Sequence, residues 1–433
     1  MNPSRPRIII VGAGFGGLVT ARALAGCAVE VWLLDRNNYH VFSPLVYQVA
    51  AAELEPEEIA YPVRSTLRRQ RNARFVLAEV RHVDLATRLI ETDAQSFSYD
   101  FLVLATGSVT HFFSVPGAAE FAFGLKSLND AIALRNQILC CFERAAGALD
   151  AEARHRLLSF AIVGGGPTGV EFAGALAELV CGPLDGDFPE VDRNEVRITV
   201  LEAQNSLLPG WPARLSDYAR LRLGRMGVDV RINTAVGAVT GDALRLHDGI
   251  SIASETVVWT AGVRGDPSAR AWGLPVKRNG RVEVLPTLQL PAHPETYVIG
   301  DLAEVALAGR TLPMLAPVAL QQGRAVARNL ARQIAGKSPL LFQFRDRGTM
   351  VTIGRNAAVA HVGRRAVTGL PAWLLWLGVH LINLIGFRNR LFVLINWAWD
   401  YLFFERAVRL ILPVGRGSTV GTRQRKAGVC VSG

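Results

Sequence analysis

Two stretches of this chain have the residues to hold phosphate. Gly12, Gly14 and Gly17 follow the apolar run Ile8-Ile9-Ile10-Val11; Gly164, Gly166 and Gly169 follow Phe160-Ala161-Ile162-Val163, about 150 residues later. In each a β-run falls into G-x-G-x-x-G. The first glycine makes the tight turn, the second lets backbone approach a pyrophosphate, and the third permits close helix–strand packing. A helix opening at such a loop aims N–H groups at an anion. Phe15 and Gly16 complete the first helix start, and Pro167 and Thr168 the second. One loop of this kind is a weak signal. Two in one chain predict two dinucleotides, one a tightly held flavin and the other a nicotinamide.

Carboxylates stand where each loop needs them. Asp35 closes the predicted strand Val29–Leu34, about twenty residues beyond the first glycines, where it can accept hydrogen bonds from a ribose diol. Glu202 closes the predicted strand Val196–Leu201 in the same way; its longer spacing comes from 181–195, which reads as an inserted acidic loop. The blander reading of either acid is a solvated strand end. A carboxylate at 202 would repel a 2′-phosphate, so NADH is favoured over NADPH. Glu171, two residues after Gly169, is expected in the first turn of the second helix, where the helix dipole favours an anion.

The elements that must position these residues follow. The fold class is α/β: two Rossmann-like dinucleotide-binding domains, one inserted in the other as in disulfide reductases, followed by amphipathic C-terminal helices. The first domain is drawn at 1–112 and resumes at 286–340, and the second occupies 113–285 with its Rossmann core at 158–275. Residues 341–413 form a membrane-associating region and 414–433 a flexible basic tail. Leu128–Arg156 reads as a helical linker, and Thr296–Asp301 returns the chain to the first domain. The strand ends Ala105-Thr106-Gly107-Ser108 and Thr260-Ala261-Gly262-Val263 correspond, which suggests an internal duplication.

Charge and cysteine usage narrow the class. The net charge is +10, and eight of those charges fall after His361, where four of the eight tryptophans also lie (Trp373, Trp376, Trp397, Trp399). Basic residues interleaved with tryptophan and long aliphatic runs suit a membrane surface with anionic lipids, here over 370–412, better than nucleic acid. Leu370–Phe387 is apolar except for His380 and Asn383; Leu391–Phe404 is interrupted by Asn396 and Asp400, with 386–390 read as a turn between them. A spanning hairpin would carry Arg388 and Arg390 across at roughly 2.5–3.5 kcal/mol each, so a monotopic pair of interfacial helices is favoured over it. A buried core or a dimer interface is the alternative. Met1–Arg5 runs straight into a strand, so no leader is expected. The five cysteines form no C-x-x-C pair and no ligand spacing, so no metal site is expected and the thiols read as reduced, in a protein facing the cytoplasm.

Taken together, 11–17, the block Asn38-Tyr-His-Val-Phe-Ser-Pro-Leu-Val-Tyr-Gln-Val-Ala50, 163–174, Val298-Ile-Gly-Asp301 and the C-terminal block 376–401 resemble the type II NADH dehydrogenases. These are single-chain NADH:quinone oxidoreductases that pump no protons, and the resemblance covers all but the last twenty or so residues. It implies FAD on the first loop, with Asp35 on the adenosine ribose, Val80 near the adenine through its backbone, and Thr106, Gly107, Asp301 and Ala316 around the rest. NADH on the second loop would have Glu202 on its ribose, Gly262 alongside, and Glu171 beside the stacked rings, orienting NADH or handling protons. A membrane quinone, ubiquinone or menaquinone, would meet Tyr47, Gln48, Pro317 and Gln321. The family pattern often has a glutamine where this chain has Pro317, which has no side-chain hydrogen bond to donate to a quinone carbonyl. The resemblance also implies peripheral attachment to the cytoplasmic face of the inner or plasma membrane and leaves room for a homodimer. Rival readings are a soluble reductase of a protein acceptor, a sulfide:quinone reductase, and a non-catalytic membrane flavoprotein.

Overall fold

The structure, a computed structural model, describes residues 5–307, 309–403 and 409–411. The expected basic tail and Cys430 lie outside the described residues, as do Glu405, Arg406 and the side chain of Asp400. The chain divides into two compact units. The first comprises Met1–Val41, Ala60–Val109 and Val263–Asp346; the second comprises Phe42–Ile59, Thr110–Gly262 and Arg347–Gly433. The return to the first unit thus begins at Val263 rather than at 286, and the Tyr47–Gln48 segment groups with the second unit.

The first unit is built on a six-stranded sheet in the order Gln289–Leu290, His293–Val298, Phe101–Leu104, Arg7–Val11, Glu30–Asp35, Ala73–Leu77. All pairings are parallel except that of Gln289–Leu290. Ile8, Ile9 and Ile10 are wholly buried, as a central strand covered on both faces requires. The helices Phe15–Ala23 and Ala316–Ile334 approach closely because Gly323 lacks a side chain: a Cβ there would strike the Gly16 carbonyl. The Thr20 hydroxyl then donates to Gly16 O at 2.8 Å, with Gly323 O at 3.2 Å.

The second unit repeats the plan with five parallel strands in the order Phe123–Gly124, Thr256–Trp259, Ser159–Val163, Arg197–Leu201, Val228–Arg231. Its helix Leu128–Ala146 starts on a capping box between Ser127 and Asp130, and Gly147 ends it. The helical linker expected over 128–156 consists of two helices, the second being Ala151–Leu157 capped by Asp150. The stretch expected as an acidic loop begins instead as a π-helical continuation, Val180–Leu184, of the helix Pro167–Leu179.

Towards its C-terminus this unit adds an antiparallel sheet of Thr349–Thr352, Ala358–Val362 and Arg365–Thr368. The helix Leu370–Asn383 lies on it, Ala372 packing against Ala358 and Ala360 while Trp376 is buried. The helix Phe387–Phe403 follows. The turn expected at 386–390 is shorter: Gly386, at φ +89°, reverses the chain, and Arg388, Asn389 and Arg390 already belong to the helix. Arg390 reaches back to the Ile382 and Leu384 carbonyls at 2.8 Å, satisfying acceptors at the end of the preceding helix. Among the described residues no helix is long and apolar enough to cross a membrane.

Candidate functional site

The two glycine loops are built alike, bond for bond. Gly12 N donates to Leu34 O and Ala105 N to Val11 O; Gly164 N donates to Leu201 O and Thr260 N to Val163 O, all four at 2.8 Å. Gly12 sits at φ +104° and Gly164 at φ +109°, where an L side chain is strained, and a Cβ on either would strike the crossing chain at Ala105 or at Thr260–Ala261. A Cβ on Gly17 would collide with the Gly12 carbonyl, and one on Gly169 with that of Gly164. By contrast a Cβ on Gly14 or Gly166 would meet nothing within 4 Å. The middle glycine of each loop therefore borders open space at a helix N-terminus, the cradle a phosphate requires.

Each carboxylate also plays the same part twice. Asp35 accepts from the backbone N–H of Ala13 at 2.6 Å and of Asn37 at 2.7 Å; Glu202 accepts from those of Gly165 at 2.7 Å and Gln204 at 2.8 Å. Burial holds the Asp35 carboxyl above its ordinary range, and the two backbone bonds only partly oppose it.

Around the first loop several buried polar atoms have no hydrogen-bond partner: Thr106 Oγ1, His40 Nε2 and Gln322 Nε2. The other end of Gln322 accepts from Gly300 N at 2.7 Å, next to Asp301, whose carboxylate takes the Ser108 hydroxyl. Gln322 and His40 were not singled out in the sequence; a glutamine set into the small and apolar stripe Val318, Ala319, Gly323, Val326 at helical spacing is the signal that could have found the first. Phe15 meets the His40 ring edge-on at 4.9 Å. Gly107, at φ +79°, follows Thr106 at the strand end, and Val80 opens a short strand, half-buried. Ala316 and Pro317 begin the helix Ala316–Ile334. Gln321, expected to face the acceptor, has its amide engaged at both ends by the Arg345 backbone, donating at 2.9 Å and accepting at 3.0 Å. Around the second loop Pro167 and Thr168 are exposed at the helix start, and a Cβ on Gly262 would run into the Phe113 ring.

The second unit also holds a cavity of about 440 Å³, lined mainly by Trp373, Trp376, Trp397, Leu377, Leu381 and Leu394, with Tyr47, Gln48, Glu53, Glu171, Glu178 and Arg355 as its polar groups. Of the predicted residues, this brings together Tyr47, Gln48 and Glu171. Glu171 is the fifth residue of the helix Pro167–Leu179, so it stands beyond the first turn expected for it. Burial, not the helix dipole, governs it: 8% exposed, its carboxyl is pushed up to about 8. The Thr352 N–H, donating at 3.4 Å, and the nearby Trp376 indole offset little of this. The Tyr47 hydroxyl is buried without a hydrogen-bond partner, and burial, reinforced by Glu171, Glu53 and Glu178, raises its pKa well above the phenolic value. A cavity walled by tryptophan and leucine, whose polar groups include a buried acid of raised pKa and an unsatisfied O–H, suits a flat, largely apolar molecule bearing a carbonyl.

Residues 6–323 match the family model described as pyridine nucleotide-disulphide oxidoreductase, and residues 347–406 match that of the NDH2 C-terminal domain. The type II NADH:quinone oxidoreductase Ndh of Mycobacterium tuberculosis is 38% identical over 419 residues, 93% of this chain and 90% of that protein. The type II NADH:quinone oxidoreductase of Staphylococcus epidermidis is 32% identical over 390 residues, 86% of this chain and 93% of that one. Among solved structures, NDH2 from Plasmodium falciparum in complex with NADH superposes with a TM-score of 0.87 at 18% identity, covering 94% of this chain and all of that one.

Proposed function

The chain belongs to the type II NADH:quinone oxidoreductases, and from that premise we propose how its residues divide the reaction. The first loop holds FAD. Gly12, Gly14, Phe15, Gly16 and Gly17 take the pyrophosphate, Asp35 the adenosine ribose and Val80 the adenine, while Thr106, Gly107, Asp301 and Ala316 surround the remainder. The open cradle at Gly14 and the unpartnered Thr106 Oγ1 and Gln322 Nε2 support this fit. The second loop holds NADH through Gly164, Gly166, Pro167, Thr168 and Gly169, with Gly262 alongside and Glu202 selecting the unphosphorylated ribose. When bound, FAD supplies the hydride acceptor and two-electron donor, so the polypeptide needs no dithiol. Among the described residues Cys27, Cys140, Cys141 and Cys181 are thiols, and Cys140 and Cys141 are buried neighbours on one helix.

The cavity takes the quinone ring. Tyr47 donates to a quinone carbonyl, Glu171 holds one of the two protons that the acceptor takes up with the two electrons, the other coming from solvent, and the tryptophans flank the ring. Gln321 braces the segment at Arg345, and Pro317 has no side-chain hydrogen bond to offer a quinone. Leu374, Ile382, Phe387, Ile395, Leu402 and Phe403, exposed on the two C-terminal helices, dock on the cytoplasmic face of the membrane without crossing it. Arg388, whose guanidinium stacks 5.2 Å over Phe392, meets anionic headgroups there.

The observation that carries this reading is the pairing of a buried acid and an unpartnered hydroxyl, Glu171 and Tyr47, in one aromatic cavity. Tyr47→Phe deletes that hydroxyl alone. Reduction of bound flavin by NADH and turnover with ferricyanide should keep the parent's rates, while kcat/KM for a quinone falls about fivefold, the worth of one hydrogen bond. An unchanged quinone kcat/KM removes the cavity from the acceptor's path. For the membrane reading, Ile382→Glu with Leu402→Glu should release the protein from anionic vesicles in a flotation assay. Deleting the helices is a poorer test, because it would uncover Ala358 and Ala360.

A further inference from the structure

Helix Phe387–Phe403 has polar residues that neither the membrane nor the quinone explains. Asn389, Asn396 and Trp397 stand at i, i+7 and i+8, which places them on one face. That face meets the segment 46–59 of the same unit. Asn389, 7% exposed, donates to the carbonyls of Glu57 and Glu58 at 3.2 and 2.9 Å. These carbonyls end the short helix Pro56–Ile59, and such groups need outside donors. Asn396 donates to the Glu58 carboxylate, which is itself buried and accepts from Glu55 N at 2.8 Å through its other oxygen. Trp397 Nε1 donates to Gln48 Oε1 at 3.2 Å. Leu391, Leu394, Ile395 and Leu402, off this face, are exposed.

We propose that Asn389, Asn396 and Glu58 are positioning residues for the quinone wall: they clamp segment 46–59 to the C-terminal helix so that Tyr47 and Gln48 are held at the cavity. This rests on the reading of the cavity as the quinone site. The physical case is the arrangement of buried polar groups. A buried amide and a buried carboxylate, Asn389 and Glu58, joined by the half-buried Asn396 amide are costly unless every bond is made, so they tolerate one register of helix against segment and disfavour others. Between the clamp and the cavity the chain is short and irregular. Glu53 N bonds back to Gln48 O, and Ala52 sits at φ +56°, where an L residue is strained. Its apolar residues, Val49 to Ala52 and Leu54, are held in the core, and polar contacts fix its two ends. One end is Trp397 on Gln48 and the other is the Glu58 clamp.

The test uses the full-length flavin-loaded protein. Asn396→Leu keeps the side-chain size and deletes the donor. Backbone hydrogen exchange over 46–54 should quicken about tenfold, and quinone kcat/KM should fall about tenfold, mostly in KM, with ferricyanide turnover unchanged. The paired exchange Glu58→Gln with Asn396→Asp rebuilds the bond with donor and acceptor reversed, the amide oxygen introduced at position 58 still accepting from Glu55 N, and should restore both readouts. Unchanged exchange over 46–54 in Asn396→Leu overturns the clamp. Failure of the paired variant to recover also overturns it, since the apolar side chain placed at 396 rather than the lost bond would then be the cause. Quickened exchange with an intact quinone KM shows that the clamp holds the segment but not the acceptor, and that outcome overturns the quinone reading of the cavity.

Discussion

The two glycine loops have the same backbone and different side-chain duties. In the first, the strand that crosses the loop ends Ala105-Thr106, and the Thr106 hydroxyl is buried without a partner. In the second the order is Thr260-Ala261, and the Thr260 hydroxyl donates to the loop's own carbonyls, Val163 O and Gly164 O, both at 3.0 Å. A hydroxyl has moved by one residue, from standing without a protein partner to tying the loop. The helices differ too: two residues past the third glycine stands half-buried Val19 in the first unit and buried Glu171 in the second. Backbone geometry makes a site for any dinucleotide. On the proposed assignment, the side chains one position away decide whether the site grips a resident cofactor or presents an exchangeable one.

The largest effect should come from breaking one loop and sparing the other. Gly17→Val and Gly169→Val each force a side chain into the loop's own first carbonyl, at the roughly 3 kcal/mol end of overpacking costs. Gly17→Val should purify with little flavin, retention being on the order of a hundredfold weaker. Gly169→Val should purify yellow and reduce slowly with NADH. Flavin content by absorbance and a single-turnover NADH reduction distinguish them. Equal flavin loss in both would mean that the loops are not specialised.

The duplication was legible in the sequence because glycines are required by sterics that leave no substitute, and acids at strand ends keep a fixed relation to them. The cavity was legible only in part. Tyr47 and Gln48 were carried by a family resemblance, whereas Trp373, Trp376 and Trp397 read as membrane-facing residues; Trp376 in fact is almost wholly buried. Tryptophan signals a boundary between apolar and polar surroundings, and the inside of such a cavity and the membrane interface offer the same boundary. Likewise Asn389 and Asn396 read as a turn residue and an interruption, since nothing local reveals that a segment over 300 residues away, 46–59, supplies their partners.

A pH titration sharpens the Val19–Glu171 contrast. Glu171 binds its proton more tightly in the folded protein, at about 8, than at the ordinary carboxyl value of 4.5. Its contribution to stability is therefore complete below pH 4.5 and is lost as pH rises through 8, with a slope of at most ~1.4 kcal/mol per unit. Glu171→Gln should flatten denaturation midpoints across that window relative to the parent. A parent and a variant with parallel profiles would show that the acid ionises normally and that the second helix is no more specialised than the first.

Cofactor choice comes next in size. Glu202 should favour NADH over NADPH by at least about tenfold in kcat/KM, ~1.4 kcal/mol, and Glu202→Gln should bring the ratio towards one by removing the charge that opposes a 2′-phosphate. Steady-state rates with both cofactors measure it. A ratio that stays put in Glu202→Gln would leave the acid with its two backbone bonds, to Gly165 and Gln204, and no say in selection.

The smallest effect tests the displaced hydroxyl itself. Thr106→Val removes a group that bonds nothing in the protein, so the apoprotein's melting temperature should hold or rise slightly, because a buried unsatisfied oxygen is costly. Flavin dissociation should quicken about fivefold, the equivalent of one hydrogen bond. Thr260→Val removes a group with two carbonyl partners, so it should lower the melting temperature by about 1–2 °C at ~1 kcal/mol and leave flavin dissociation alone. Isothermal flavin release and differential scanning of the apoproteins give the four numbers. If instead Thr106→Val lowers apoprotein stability and keeps its flavin, its hydroxyl serves the fold, and the shift by one residue between the loops carries no functional meaning.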